Sequence, residues 1–260
     1  MVNLDKVLLS EMNGEDVKEA VGKADVAIVP FGSTENHGGH LPFGTDCITP
    51  SELSLRIAER CGGAIVLPTQ PYGVSPHHAS FLMTMSLRPE TLKALATDLL
   101  LSLLKHGIRN AVIINGHDGN SPALDEAAKE VKGHGMFVAT LDAWWVAAGE
   151  LLPKSTFEVW SGLGHGGEGE TSMILHLRPD LVDMRKARGV VPHLPKHLKI
   201  NWKFEELAGC GSSGAPDKAS AEKGYKIAES IVNYVCMFIT EARACGWNVT
   251  KISDLRRKDW

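Results

Sequence analysis

Val26-Ala-Ile-Val-Pro-Phe-Gly-Ser-Thr-Glu-Asn-His-Gly-Gly-His-Leu-Pro-Phe-Gly-Thr-Asp46 begins as an apolar run and ends as a string of potential ligands. Val26 to Phe31 has the continuous apolar character of a strand covered on both faces. Ser33 to Asp46 then supplies two carboxylates, two imidazoles and three glycines. Carboxylate and neutral imidazole are the donors of Zn²⁺, Mn²⁺ and Fe²⁺ sites. Glycines let a backbone bend tightly around such a site. The same residue types also fill ordinary polar loops, so the surrounding chain has to decide between the two.

Outward from this segment, apolar runs alternate with helical spacing. Glu15 to Gly22 reads as a short helix. Pro50 suits the start of a helix over Ser51 to Arg60, with Leu53, Ile57 and Arg60 on one spacing. Ala64 to Pro68 is a second buried strand. Arg88 to Gly107 is the clearest helix: Pro89 and Glu90 suit its first turn, Leu92, Leu95, Leu99 and Leu103 line one side, and Gly107 stops it. Strands are expected at Asn110 to Ile114 and Met136 to Leu141, with a helix from Ser121 to Val131 between them. Glu168 to Leu177 and Ala219 to Ala244 read as helices, and Met184 to Gly214 as a surface excursion. The alternation predicts an α/β protein with a mostly parallel central sheet. No internal repeat or low-complexity linker divides it, so a single domain over residues 1–260 is expected.

Composition narrows the function. Of 260 residues, 43% are apolar and 22% charged, and the net charge is -4. These values suit a soluble globular protein with no electrostatic footprint for nucleic acid. Cys47, Cys61, Cys210, Cys236 and Cys245 are scattered and form no Cys-x-x-Cys, which argues against a disulfide framework or a structural zinc site. The first residues lack the apolar core of a signal peptide. Leu99 to Leu104 is too short to span a bilayer. A cytoplasmic protein without membrane contact is expected.

Polar, glycine-rich, histidine-bearing loops follow at least three of the expected strands. Ligand sites of open α/β sheets gather at the carboxyl ends of strands. Glu35, His37, Asp46, His78, His117 and Asp142 are therefore expected to converge. Glu35 and His37, two apart, share a side in extended backbone. Asp46 returns across a glycine-rich turn, and a carboxylate between two ions can bridge them. His117 stands in Asn115-Gly-His-Asp-Gly-Asn120, where Asp118 is either a ligand or a partner to one. His165 precedes Glu168 and Glu170. A histidine there suits a proton shuttle or an oxyanion contact, although acids at a helix start also follow from the helix dipole. Of His77 and His78, one is expected to touch substrate. His40, His106, His134, His176, His193 and His197 have no constellation around them and read as ordinary.

Five segments in order resemble the creatininase (creatinine amidohydrolase) family: Gly32 to Asp46, His78 to Leu87, Asn115 to Asn120, His165 to Ser172, and Gly214 to Gly224. The resemblance implies a Rossmann-like three-layer α/β sandwich, a homohexamer, and two divalent metal ions per subunit, Zn, Mn or Fe. It places Glu35 and His117 on one metal, His37 on the other and Asp46 between them. Creatininase has its fifth ligand, a glutamate, where this chain has Gly119. Glu170 is the expected replacement, with Asp118 the lesser candidate. Substrate contacts are expected at His78, Ser80, Trp144 and Asp118, and catalytic roles at His165, Glu168 and Glu170. Two features depart from creatininase on the substrate side: Phe81-Leu-Met-Thr84 replaces Phe-Pro-Gly-Thr, and Ser161 stands where a second pocket tryptophan belongs, next to Trp160. The implied chemistry is metal-assisted hydrolysis of a small cyclic amide or formamide. Alternatives are a lactone or inositol-derived ketone at the same centre, or an inactive ligand-binding homologue.

Overall fold

The computed structural model describes residues 6–193 and 200–253; His197 and residues 1–5 lie outside the described residues. Strands β1 (Val26–Phe31), β2 (Ala64–Val66), β3 (Asn110–Asn115) and β4 (Phe137–Leu141) form one sheet in the order β2-β1-β3-β4. Every neighbouring pair is parallel. All six residues of β1 are buried, which is why its sequence is uniformly apolar and does not alternate.

Helices cover both faces, giving the three layers expected. On one face, Val26, Ile28, Val112 and Ile114 pack against helices α2 (Thr45–Cys61), α5 (Trp144–Leu151), α6 (Glu168–Leu177) and α8 (Ala221–Ala244). On the other, Ala27, Val29, Phe31, Ala111 and Ile113 meet α3 (Pro89–Lys105) and α4 (Ser121–Lys132), flanked by Val21 of α1 (Gly14–Lys23). Alternate residues of each strand thus serve opposite layers. Local chemistry fixes the ends: Asn13 accepts N–H groups of Glu15 and Asp16 to cap α1, and Pro89 opens α3 where its missing N–H costs nothing.

The chain leaves β1 for β2 on one side, then passes back across β1 to reach β3. The direction of winding therefore reverses between β1 and β3. Loops leaving their carboxyl ends diverge there and open a crevice, the usual ligand position of such sheets. Glu35 and His37 follow β1, and His117 follows β3.

One boundary differs from expectation. Helix α2 starts at Thr45, with Pro50 inside it. Proline lacks the N–H that would bond the carbonyl four residues earlier, so Asp46 O receives no donor from Pro50. Starting at Thr45 places the Asp46 side chain in the first turn of a helix aimed at the crevice. Trp144 also differs from expectation. It is 1% exposed and packed in the α2/α5/α8 layer, so it is a core residue with no face open to a ligand.

Helices α6 and α8 touch at Gly224, where a Cβ would overlap the carbonyl oxygen of Ser172. Ser172 lies two residues after Glu170, so this approach sets the depth of α6 in the crevice wall. No described helix is long and apolar enough to cross a membrane. Gly224→Ala is expected to push the two helices apart and cost about 1–3 kcal/mol. Thermal denaturation should show a fall of several degrees, and an unchanged midpoint would refute the contact.

Candidate metal centre

Glu35, His37, Asp46, His117 and Glu170 are all buried and lie together. Ligand atoms of Glu35, Asp46 and His117 lie within 4.8 Å of one another, as do those of His37, His165 and Glu170, and those of Glu35, His78 and His165. Asp46 stands between the two sides of the centre. Its Oδ1 is 2.8 Å from His37 Nε2, and its Oδ2 is 3.1 Å from His117 Nδ1. Glu35 Oε1 is 3.3 Å from His117 Nδ1, and Glu170 Oε2 is 3.9 Å from His37 Nε2.

The histidines are oriented by main chain. His37 Nδ1 lies 3.1 Å from Glu35 O, His117 Nε2 3.0 Å from Val74 O, and His165 Nε2 2.6 Å from Asn36 O. A carbonyl only accepts, so each ring spends one N–H there and turns its other nitrogen towards the carboxylates, the nitrogen that a metal would take once any proton on it has left. Metal-binding imidazoles are commonly held this way. Glu35 Oε1 and Asp46 Oδ2 are buried and accept no well-formed hydrogen bond. Oxygens left without a donor are costly, and a cation between them would satisfy both. The donor set therefore fits divalent metal.

Charge in the cluster follows from burial and proximity. Burial alone would raise the Glu35 carboxyl, but His117, His165 and His78 outweigh it and hold it well below its ordinary range. Burial would lower His37, yet the Asp46 carboxylate lifts it to about 10. His117 is raised well above its usual value, because Glu35 and Asp46 overcome its burial. Glu170 is pushed up to about 7 by burial, only partly offset by His37. His165, buried and facing His37, falls to about 4. His78 falls to about 2 through burial and the adjacent His165.

Gly119 has room for no larger residue. A Cβ there would overlap the Val74 carbonyl oxygen and lie 2.6 Å from His117 Nε2. No side chain fits, and Glu170 approaches His37 from α6 instead. Asp118 is exposed and lines the cleft beside the centre. His78 also lines it, 3.6 Å from Glu35 Oε1.

Three expectations are corrected. Ser80 is exposed and lies outside the lining of the cleft. Asp142 is exposed too; its carbonyl accepts from Asn115 Nδ2 at 3.2 Å, so it braces the loop and stays out of the cluster. Glu168 is fully buried with its carboxylate bound to Glu158 N, Val159 N and Lys223 Nζ, which leaves it no part in the cluster. The neighbour of Trp144, Trp145, lines the cleft with Trp160, Trp202 and Phe204.

Other participants escaped the sequence reading. Asn115 clamps the His117 backbone, accepting its N–H at 3.2 Å and donating to its carbonyl at 2.8 Å. Asn120 ties Gly32 O to Val74 N across the crevice. Ser33 Oγ donates to Glu35 Oε2 at 3.2 Å and lies 2.7 Å from Ser75 Oγ. His40, read as ordinary, is buried with Nε2 3.1 Å from Gly166 O and 3.0 Å from Thr171 Oγ1. Only its spacing from His37, across Gly38-Gly39, hinted at this.

Comparison with known proteins agrees with the geometry. The family profile Creatininase, described as creatinine amidohydrolase, matches residues 10–239. Creatinine amidohydrolase of Pseudomonas putida is 31% identical over 90% of this chain and 96% of its own length. The mycofactocin precursor peptide peptidase of Mycobacterium ulcerans is also 31% identical, over 79% of this chain and 81% of its own. A solved structure named "Creatininase Mn" superposes with TM-score 0.79 at 30% identity, covering 91% of this chain and 98% of that one. With the metal-fitting donor set at the crevice of the same fold, these likenesses place the chain in the creatininase family of hydrolases acting on carbon–nitrogen bonds.

Proposed function

We propose that the chain is one creatininase-like domain over residues 1–260, acting as a dinuclear-metal amidohydrolase on a C–N bond of a small cyclic amide or formamide. The observation that carries this reading is the Asp46 carboxylate, with one oxygen facing His37 and the other facing His117. Glu35, Asp46 and His117 would hold one divalent ion, and His37, Asp46 and Glu170 the other; Zn, Mn or Fe suits these donors. When bound, the ions supply a more acidic water and a positive field for charge developing on the carbonyl oxygen.

The chain's own residues do the rest. His165 spends its Nε2–H on Asn36 O, so its Nδ1 is a proton acceptor on the centre side. With Glu170 committed as a ligand and Glu168 occupied elsewhere, His165 is the group that moves a proton. Nδ1 takes it from the attacking water and returns it to the leaving nitrogen as the C–N bond breaks. Trp145, Trp160, Trp202 and Phe204 wall a cleft of about 350 Å³. Their flat apolar faces suit a planar group and keep bulk water from it. Buried His78 beside Glu35 and exposed Asp118 offer polar contacts in the lining. A second reading keeps the centre and lets it cleave a peptide, since an equally identical relative carries a peptidase name. Lactone or inositol-derived ketone substrates are a further variation on the same centre.

The family's homohexamer and a cytoplasmic location belong to this proposal. Exposed Tyr72, Leu82, Met83 and Met85 give an apolar surface for a second copy to cover. Light scattering should return six times the 28.1 kDa chain mass; a monomer would remove the assembly from the proposal.

Purified protein offered creatinine, formamides and short peptides is expected to open the creatinine ring to a single product carrying a new carboxylate, to release formate and amine from formamides, or to free a new amino terminus from a peptide. Asp46→Ala should lose at least one metal and about 10²-fold or more of that activity. A variant that keeps both metals and full turnover would refute the bridge. Metal uptake should also expel protons, because His37 and His117 are protonated at pH 7 in the metal-free protein and must bind as neutral rings. Calorimetry at pH 7 in buffers of different ionisation enthalpy should find about two to three protons released per chain, two from the imidazoles and part of one from Glu170. Affinity should rise as pH climbs from 7 towards 10. Uptake without proton release would remove these imidazoles from the ligand set.

A further inference from the structure

Glu168 and Glu170 share the first turn of α6. Two residues advance a helix by about 200°, so the two carboxylates leave that turn on opposite sides. Glu170 accepts the Gly166 N–H at 2.6 Å on the side of His37. Glu168 reaches the other way. Its oxygens accept from Glu158 N at 3.2 Å and from Val159 N at 3.3 Å. Lys223 of α8 donates to Glu168 Oε1 at 2.6 Å, to Glu158 Oε1 at 3.2 Å and to Lys218 O at 2.8 Å. A buried carboxylate persists only when its charge and lone pairs are matched, and here both are.

The backbone that Glu168 grips leads into a strained turn. Trp160, Ser161 and Gly162 follow with φ of 51°, 55° and 78°. Left-handed backbone is unfavourable for a residue as bulky as tryptophan, and it survives where its surroundings over-determine it. Val159 O accepts Gly162 N at 2.9 Å and Trp160 O accepts Leu163 N at 3.1 Å, closing the turn from within. Glu168 and Lys223 fix its entry. The result is a tryptophan 47% exposed at the wall of the cleft.

We propose that Glu168, charge-paired with Lys223, is a positioning residue for substrate. It clamps the Glu158–Val159 backbone so that the strained turn presents the Trp160 indole as one wall of the cleft. The substrate group met there is flat and unsaturated, because stacking on an indole face rewards that shape. The proposal deepens the amidohydrolase reading and rests on it for the identity of the cleft.

The first test needs no substrate. Metal-loaded protein labelled with 5-fluorotryptophan is examined by ¹⁹F NMR, with the Trp160 line assigned by its loss in Trp160→Phe. Glu168→Ala should shift or broaden that line, leaving the Trp145 and Trp202 lines and the metal content unchanged. Glu168→Gln, which keeps an oxygen acceptor for the two N–H groups, should move it less. Glu168→Gln combined with Lys223→Met removes both charges with little change of shape, guarding against a misfolded single variant, and should also move it less than Glu168→Ala. A Trp160 line that stays put in Glu168→Ala, or a loss of metal, overturns the proposal.

The second test uses whichever of creatinine, the formamides or the peptides is hydrolysed. Glu168→Ala should raise KM about tenfold with kcat nearly unchanged, the mark of lost binding. Its pH profile should keep both limbs. A fall in kcat of about 10²-fold with one limb gone would mark Glu168 as a proton carrier and overturn the positioning role. If none of these compounds is hydrolysed, the amidohydrolase reading fails, and the fluorine spectrum still decides the clamp.

Discussion

Everything in the crevice is arranged around one carboxylate gripped by two imidazoles. Asp46 presents Oδ1 to His37 and Oδ2 to His117, and it is 4% exposed. A buried acid of this kind is tolerable only with charge beside it, so the rest of the local fold has to deliver that charge. Winding that reverses between β1 and β3 brings the two histidine loops together, and starting α2 at Thr45 brings the aspartate between them. Pro50 inside the helix, a local cost by any propensity scale, is tolerated because the first turn is set by the centre.

The second layer of organisation belongs to α6 and α8. The turn that offers Glu170 to His37 also offers Glu168 to the lip of the cleft, and Gly224 lets α8 press that turn into place. The Glu170 carboxylate and the lip of the cleft are thus held by one turn. His40 adds a third tie, through Gly166 O and Thr171 Oγ1, to the same turn. Movement of α6 would disturb metal and substrate sides together.

Much of the fold, and the gathering of Glu35, His37, Asp46, His117 and Glu170 at one place, was legible in the sequence. A short apolar run such as Val26 to Phe31, bounded by a glycine-rich loop, suits a strand buried on both faces, and carboxylates and imidazoles recurring after several such runs point beyond ordinary polar loops. Glu170 was expected here from family likeness plus an empty place at Gly119; the structure brings its carboxylate to 3.9 Å from His37 and gives a steric reason for the glycine. Other features lay beyond residue identity. Trp144 and Trp145 are chemically equal in a sequence, and about 100° of helix rotation sends one to the core and one to the cleft. Glu168 and Glu170 differ in the same way. Ser33, Asn115 and Asn120 sit inside the segments that stood out in the sequence, but which backbone groups and side chains they and Ser75 bind depends on how the loops cross the crevice, so residue identity alone does not assign their roles. Pro50 misled because a rule about preference at helix starts was applied to a helix whose start is dictated from outside.

Main-chain carbonyls of Glu35, Asn36 and Val74 take the ring N–H groups of the three central histidines. Peptide groups are the one part of a protein that ordinary substitution leaves in place. The protonation geometry of this centre is therefore insulated from drift at the positions around it, so long as the loops keep their path. The tryptophan wall has no such insurance, since it is built of side chains alone. In lineages descended from such a chain, the reaction type should outlast the choice of substrate.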